Sequence, residues 1–332
     1  MTVPITVLMS VYNGERFLKE SIPSVLNQTF ANFEFIIVND GSRDSSLEII
    51  NAFATSDERI LVIDKPNTGL TNSLNQGINQ AKGEWIARID ADDICELNRF
   101  ELQYAKAISS QSIVLIGSDL IEINNASQRV KIHHYPHRHN QLRDNLIRLK
   151  TFFAHSSYFY RSKIVRELGG YRECFKRSQD FDLSLRLSEV GEITCINIPL
   201  VRIRKHNQQA SHEDNGIRQL VDSRVALVSY LLRQRRLEDP VAARSSEDSF
   251  EKFYQFVKLE IEKSVLFKYQ IFIQQVQSML LNLNFINFVS LCVLLLKSPH
   301  FIFYYFYYKF LGEKIGQAIL KKWINRGLLC VD

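Results

Sequence analysis

The chain lacks any cysteine pair at CxxC spacing: Cys95, Cys174, Cys195, Cys292 and Cys330 are scattered and odd in number. Neither a disulfide framework nor a zinc site is indicated, and a reducing compartment is the expected setting. No GxGxxG fingerprint follows a strand, which argues against a nicotinamide-dependent oxidoreductase. A basic, glycine-rich phosphate loop is also missing after the first apolar run. That position reads Val11-Tyr12-Asn13-Gly14-Glu15, poor ground for a sugar-phosphate nucleotidyltransferase. There is no internal repeat and no low-complexity tract. The run Ile5–Val11 is too short for a signal-peptide core and has no basic leader, so a cytoplasmic location is expected.

What remains is an ordinary folded composition. With 45% hydrophobic and 23% charged residues over 332 positions, the chain can bury one large α/β core or two smaller ones. The net charge of +5 is unevenly spread, about −1 over residues 1–215 and about +6 over 216–332. A polyanionic partner, nucleic acid or an anionic membrane, fits that asymmetry. Aromatic residues near the end of the sequence favour the membrane over nucleic acid.

Strand and helix signals alternate through the first part. Apolar, β-branched runs at Ile5–Ser10, Phe33–Val38, Ile60–Ile63 and Trp85–Ile89 predict strands. Helical patterns follow at about Arg16–Gln28, from Ser45, and at Leu70–Ala81, the last with Gly83 as its expected stop. This alternation implies a doubly wound, mostly parallel, Rossmann-like sheet whose ligands bind beyond the carboxyl ends of the strands. From Ser112 to Ile203 the pattern is mixed, with strands expected at Ile113–Ile116, Tyr158–Tyr160 and Ile193–Ile198 and a helix over Asp180–Val190. After Gly216 apolar residues recur at helical spacing up to Pro240, and a second helical pattern runs over Glu247–Leu281. The expected organisation is a catalytic domain over 1–215, with halves of about 1–95 and 96–215, and a helical extension over 216–332.

Several clusters could carry chemistry. Asp90-Ala91-Asp92-Asp93 follows the fourth strand directly. Such close carboxylates repel unless cations or donors share the site, and they suit Mg²⁺ or Mn²⁺ bridging phosphate oxygens. A solvated, capping turn is the alternative. Asp40, in Asn39-Asp40-Gly41-Ser42, could accept the N3–H of a uracil ring or simply close an Asx turn. Asp180 begins a periodic helix in Ser178-Gln179-Asp180-Phe181-Asp182-Leu183, as a helix cap or as a general base. Asp182 fits a structural role better. Arg202, Arg204 and His206 form a basic run that could clamp a diphosphate or line a solvated edge, and His206 could bind metal or phosphate. His155 reads more readily as a loop or core histidine.

Taken in order, these motifs closely resemble family 2 glycosyltransferases of the bacterial cell-surface polysaccharide type. Ser10-Val11-Tyr12-Asn13 resembles the nucleotide-binding strand end, and Asn39-Asp40-Gly41-Ser42 the uracil loop. Asn67-Thr68-Gly69-Leu70 through Asn75-Gln76-Gly77-Ile78 is similar to the next element, and Gly83 through Asp93 to the segment ending in the metal-binding DxD. Gly169-Gly170-Tyr171-Arg172 and Gln179-Asp180-Phe181-Asp182-Leu183 resemble the acceptor-side motif, and Arg204-Lys205-His206 the late basic element. The resemblance covers roughly residues 3–212.

It implies a GT-A fold and metal-dependent, inverting transfer of a hexose from a UDP-sugar to an acceptor hydroxyl. The implied donor site draws on Ser10, Tyr12, Asn13, Glu15, Asp40, Asn67, Arg88, Asp90, Arg204 and His206. Tyr12 would pack on the uracil, Asp90 would hold ribose or sugar, and Asp92 with His206 would hold Mn²⁺ or Mg²⁺. Asp180 would be the base, with His155 and Gln179 on the acceptor side. Two departures stand out. Gln179 replaces the usual glutamate before the base and cannot raise its basicity through like charge. Leu74 stands where many members carry arginine, a donor that Arg88 could replace. Gln179 is also the one feature favouring a catalytically inactive nucleotide-sugar-binding or scaffold subunit.

The apolar run Phe285–Leu296 is too short to span a bilayer, which takes about twenty residues. With Phe301–Tyr308 and the surrounding lysines it suits a membrane interface. The expectation is peripheral attachment to the cytoplasmic face of the inner membrane through residues 282–326, near a lipid-linked saccharide acceptor. A helical cap or a homodimer interface are the other uses of this segment.

Overall fold

The structure, a computed structural model, describes residues 3–206, 217–242, 247–263 and 316–325. Expectations for Phe285–Leu296 and Phe301–Tyr308 lie outside the described residues. The chain divides into two compact units, one of Met1–Leu146 with Thr151–Gln209, the other of Ile147–Lys150 with Ala210–Asp332.

The first unit is built on a nine-stranded sheet. Strands β1 (Ile5–Val11), β2 (Phe33–Asp40), β3 (Ile60–Lys65) and β4 (Trp85–Asp90) are parallel to one another, in the order β3-β2-β1-β4. Crossover helices α1 (Glu15–Leu26), α2 (Ser46–Ser56) and α3 (Leu70–Gln80) join them. Helices on both faces leave no solvated side, so β1 is a nearly continuous apolar run rather than an alternating one. Each predicted strand and helix of this half is present, extended or trimmed by a few residues.

Gly83 has a different role from the helix stop expected of it. Helix α3 has already ended at Gln80. A Cβ on Gly83 would come within 2.3 Å of the Thr6 backbone nitrogen. Glycine is needed there because the backbone passes hard against β1 before entering β4.

The sheet then changes direction. After the short β5 (Ile94–Cys95) and α4 (Arg99–Ile108) come β6 (Ile113–Ile123), β7 (Arg129–His133) and α5 (His139–Ile147). Strand β8 (Phe159–Arg161) sits between β4 and β6, antiparallel to both. Helices α6 (Ser162–Glu167) and α7 (Gln179–Val190) lead to β9 (Glu192–Arg204), which is parallel to β6 and antiparallel to β5. The mixed pattern after Ser112 thus reflects mixed pairing. One core unites Val7, Met9, Ile37, Trp85, Ile89, Phe100, Ile116, Phe159 and Val201 across both halves of the sheet.

The second unit contains α8 (Ile217–Gln234), α9 (Glu247–Glu262) and a helical stretch over 316–325. Helix α8 ends at Gln234, before Pro240, where Arg236 turns left-handed at φ 57°. Trp323 packs against Phe253 and Phe256, and Tyr254 donates to Asp222 at 3.0 Å. Among the described residues no helix is long and apolar enough to cross a membrane.

Candidate active site

Strand β4 delivers its carboxylates where parallel sheets bind ligands, at the carboxyl edge. Carboxylate oxygens of Asp90, Asp92 and Asp93 all lie within 4.8 Å of one another, the one such group among the described residues. Hard oxygen donors in this number suit Mg²⁺ or Mn²⁺, so the residues present fit a divalent cation.

The three acids differ in their surroundings. Asp90 is paired with the guanidinium of the buried Arg88, two residues back on the same strand. Asp92 meets His206 Nε2 at 2.9 Å and is a quarter exposed. Burial, reinforced by Asp90, pushes its carboxyl up, with the His206 contact opposing. Asp93 is buried, and burial together with the charges of Asp92 and Asp90 holds it well above the usual carboxylate range. The Arg204 backbone N–H donates to it at 2.9 Å and the Ser156 hydroxyl at 2.5 Å. Ser156 Oγ also lies 2.9 Å from Asp90 Oδ2.

The loops after β1, β2 and β3 gather at the same edge. Ser10 sits in register between Val38 and Asp90, and Tyr12 presents a half-exposed ring just beyond it. Asn13 takes a left-handed backbone, φ 53°. Its side-chain oxygen accepts from the Arg43 N–H at 2.8 Å, while its own N–H donates to Ser42 Oγ at 3.0 Å. Glu15 accepts from the Ser45 N–H at 2.9 Å, and its N–H donates to Asp44 at 3.1 Å. Asn13 and Glu15, expected to touch the nucleotide, thus lace the first loop to the second.

Asp40 is buried, and its two oxygens accept from the Thr68 and Gly69 N–H groups, each at 2.9 Å, with Lys65 also paired to it. Burial alone would raise its carboxyl, but Lys65 and the Thr68 amide outweigh burial and hold it below the usual range. Asp40 therefore fixes the third loop rather than closing an Asx turn. Gly41, at φ +68°, lets the Asn67 backbone approach, since a Cβ there would meet its nitrogen at 2.6 Å. The Asn67 side chain is exposed.

Helix α7 carries Asp180 as its second residue, near enough to feel the charges of Arg88 and Asp90. Burial raises the Asp180 carboxyl, partly offset by the Phe181 N–H at 2.8 Å and by the charge of Arg88. Asp90 adds to the rise, so a like charge on the strand and burial do what Gln179 cannot. Gln179 itself is buried. Asp182 is structural, fully buried and paired with Arg186 at 2.8 Å. Arg186 also donates to the Leu168 and Gly170 carbonyls at 3.0 and 2.8 Å, which ties the Gly169–Arg172 motif to α7. His155 Nε2 lies 2.6 Å from the Tyr171 hydroxyl. Burial, with Arg88 nearby, pushes this imidazole well below its ordinary value.

Arg204 departs from expectation. Its guanidinium is buried and donates to the Asp92 carbonyl at 3.0 Å, Ser127 Oγ at 2.8 Å and Glu20 at 2.8 Å, over the Phe17 ring. These acceptors orient it within the fold, so it braces the Asp92–Asp93 turn instead of presenting a phosphate clamp. Arg202 pairs with Glu96 at 2.5 Å. Leu74 is fully buried in the core, and Arg88 serves Asp90.

Reading the sequence missed Ser156, Tyr158 and Arg186 as parts of the site. Ser156 was masked by its neighbour His155. The Tyr158 hydroxyl, 2.6 Å from Ser184 Oγ and buried against α7, carries no local signal because its partner is 26 residues away.

A parallel half-sheet ending in this acidic cluster, continued by a half of mixed pairing, is the architecture of GT-A glycosyltransferases. Comparison with known proteins agrees. The profile of Glycosyl transferase family 2 matches residues 6–169. The chain is 33% identical over 193 residues to EpsE of Bacillus subtilis, covering 56% of this chain and 67% of that protein. It is 31% identical over 211 residues to an uncharacterized glycosyltransferase of Rickettsia felis, 62% of this chain but only 35% of that relative's length. The fold is similar to that of S. aureus TarS 1-349 in complex with UDP-GlcNAc, with a TM-score of 0.57 and 14% identity over 98% of this chain and 92% of that one. The chain belongs to family 2 of the glycosyltransferases.

Proposed function

We propose that this glycosyltransferase moves a hexose from a UDP-sugar to an acceptor hydroxyl by a single, inverting displacement in surface polysaccharide assembly. The observation that carries the proposal is the convergence of the Asp90, Asp92 and Asp93 carboxylates within 4.8 Å of one another at the carboxyl edge of the parallel strands. It makes an acidic cluster suited to a phosphate-bridging cation, with Asp180 within reach of the charges of Arg88 and Asp90.

In this reading the Tyr12 ring stacks on uracil, a contact open to any base face. Asp40 receives N3–H, with its loop already organised by Thr68 and Gly69. Ser10 and Asn67 line the same edge. Asp90, oriented by Arg88, hydrogen-bonds the ribose or the sugar. Asp92, with Asp93 and His206 beside it, would hold Mn²⁺ or Mg²⁺, which supplies Lewis-acid neutralisation of the departing diphosphate. Asp180 takes the proton of the acceptor hydroxyl as that oxygen attacks the anomeric carbon from the opposite face. The bond to the diphosphate breaks as the new glycosidic bond forms, so an α-linked donor gives a β-glycoside. His155 and Gln179 shape the acceptor side.

TarS was solved with UDP-GlcNAc, which supports a nucleotide-sugar donor here. The acceptor is a saccharide, lipid-linked in our reading, met at the anionic cytoplasmic leaflet through residues 282–326. A chain cut near residue 280 should then lose membrane fractionation. UDP release from a panel of UDP-sugars, with Mn²⁺ or with EDTA, tests the whole reading. One donor should be hydrolysed slowly, and its turnover should vanish with EDTA and in Asp92→Ala. A donor that binds but is never cleaved, even with acceptor, would favour the scaffold reading.

A further inference from the structure

We propose that Ser156 is a positioning residue for the acidic cluster, fixing which carboxylate oxygens of Asp90 and Asp93 face a bound cation. The inference deepens the metal-dependent reading above and rests on it.

Ser156 is 1% exposed and sits in a short 3-10 turn, His155–Ser157. A hydroxyl has one proton to give and two lone pairs to receive. Both lone pairs are spoken for: Arg88 Nη1 donates to Ser156 Oγ at 3.1 Å and the Asp90 N–H at 3.2 Å. The single proton then faces two acceptors, Asp93 Oδ2 at 2.5 Å and Asp90 Oδ2 at 2.9 Å. It serves one of them at a time. The other opposes the hydroxyl oxygen with its own lone pairs.

The cluster is thereby a two-state element. With the proton on the Asp93 contact, Asp90 is held by Arg88 alone; with it on the Asp90 contact, Asp93 keeps only the Arg204 N–H at 2.9 Å. A cation drawing on these carboxylates selects one arrangement, and Ser156 holds the partner oxygen in place. The one hydroxyl thus touches Arg88, Asp90 and Asp93 together. The same turn reaches the acceptor motif through His155 and Tyr171, so the hydroxyl stands where the donor and acceptor halves meet.

The test is Mn²⁺ binding to the full chain without donor, followed by electron paramagnetic resonance, so that turnover plays no part. Outer-shell partners of a metal site typically contribute roughly 10- to 100-fold in affinity. Ser156→Ala should weaken Mn²⁺ binding by about that factor. Ser156→Cys, which keeps the volume but offers only a weak S–H donor, should weaken it in the same direction and carries the test if the alanine variant does not fold. Ser157→Ala is the control, because that hydroxyl donates only to the Ala154 carbonyl at 2.7 Å; its Mn²⁺ affinity should equal the wild type's. Wild-type affinity in Ser156→Ala, or in Ser156→Cys, overturns the proposal. A wild-type chain that binds no Mn²⁺ overturns the metal-dependent reading itself and the proposal with it.

Discussion

The loops after β1, β2 and β3 are joined by short side chains to backbone amides, while the segments around β8 and α7 are joined by buried arginines, tyrosines and a histidine. In the loops after β1 and β2, Asn13, Ser42, Asp44 and Glu15 each accept from a backbone N–H of the facing loop. Around β8 and α7, Asp182 and Arg186 pair along one buried helix, while Tyr171 and Tyr158 reach partners 16 and 26 residues away, with little solvent to share the load. Removing one partner exposes the difference. A lost loop hydrogen bond is replaced by water, whereas a lost buried partner leaves a stranded charge or dipole.

The largest loss of stability is expected on the acceptor side. Asp182→Ala removes a buried carboxylate that pairs with Arg186, and breaking such a pair costs about 3–5 kcal/mol. Denaturant unfolding should read that loss; a change under about 1 kcal/mol would erase the contrast between the two sides. Asp40→Asn comes next, at about 1.5–3 kcal/mol for hydrogen bonds to a charged group. Because the Asp40 carboxyl is held low in the folded chain, its contribution is present above its unfolded value and is lost as pH falls through the lowered folded one. The Asn variant should lack that part of the acid destabilisation. Ser42→Ala, on the exposed loop, should cost about 1 kcal/mol or less in the same unfolding experiment.

The same contrast explains what was legible in the sequence. Each parallel strand and crossover helix could be read from local periodicity, and Asp90, Asp92 and Asp93 stand together in the chain as they do in space. The turn chemistry around Asn39–Ser42 was also local, although Asp40 proved to hold the Thr68–Gly69 backbone rather than its own turn. Short elements escaped: β5 has two residues and α6 six, both below the length at which a period is visible, and β7 is an exposed basic strand. Long-range partners escaped for a different reason. Arg204 looked like a phosphate ligand because basic residues beside a histidine suggest anions. Only the fold brings Glu20 and Ser127 to its guanidinium, from 184 and 77 residues away. Arg99, buried against the Arg88 carbonyl at 2.8 Å, gave no signal at all.

Asp180 is the base in the proposed reaction, and its environment makes a pH prediction. Burial raises its carboxyl above the ordinary value, and a base works only when ionised. Turnover should therefore rise with pH through an inflection above the ordinary aspartate value of about 3.9. An inflection at or below that value would contradict the role of burial. Since holding the ion in that site opposes folding at neutral pH, Asp180→Asn should melt no lower than the wild type there.

The most direct measurement is donor binding and turnover in Asp180→Asn, with Mn²⁺ and the UDP-sugar that the wild type cleaves. The account predicts a donor dissociation constant within about threefold of wild type and turnover reduced about 10²- to 10⁴-fold. Turnover that stays near wild type would contradict it and send the search for the base elsewhere on the acceptor side.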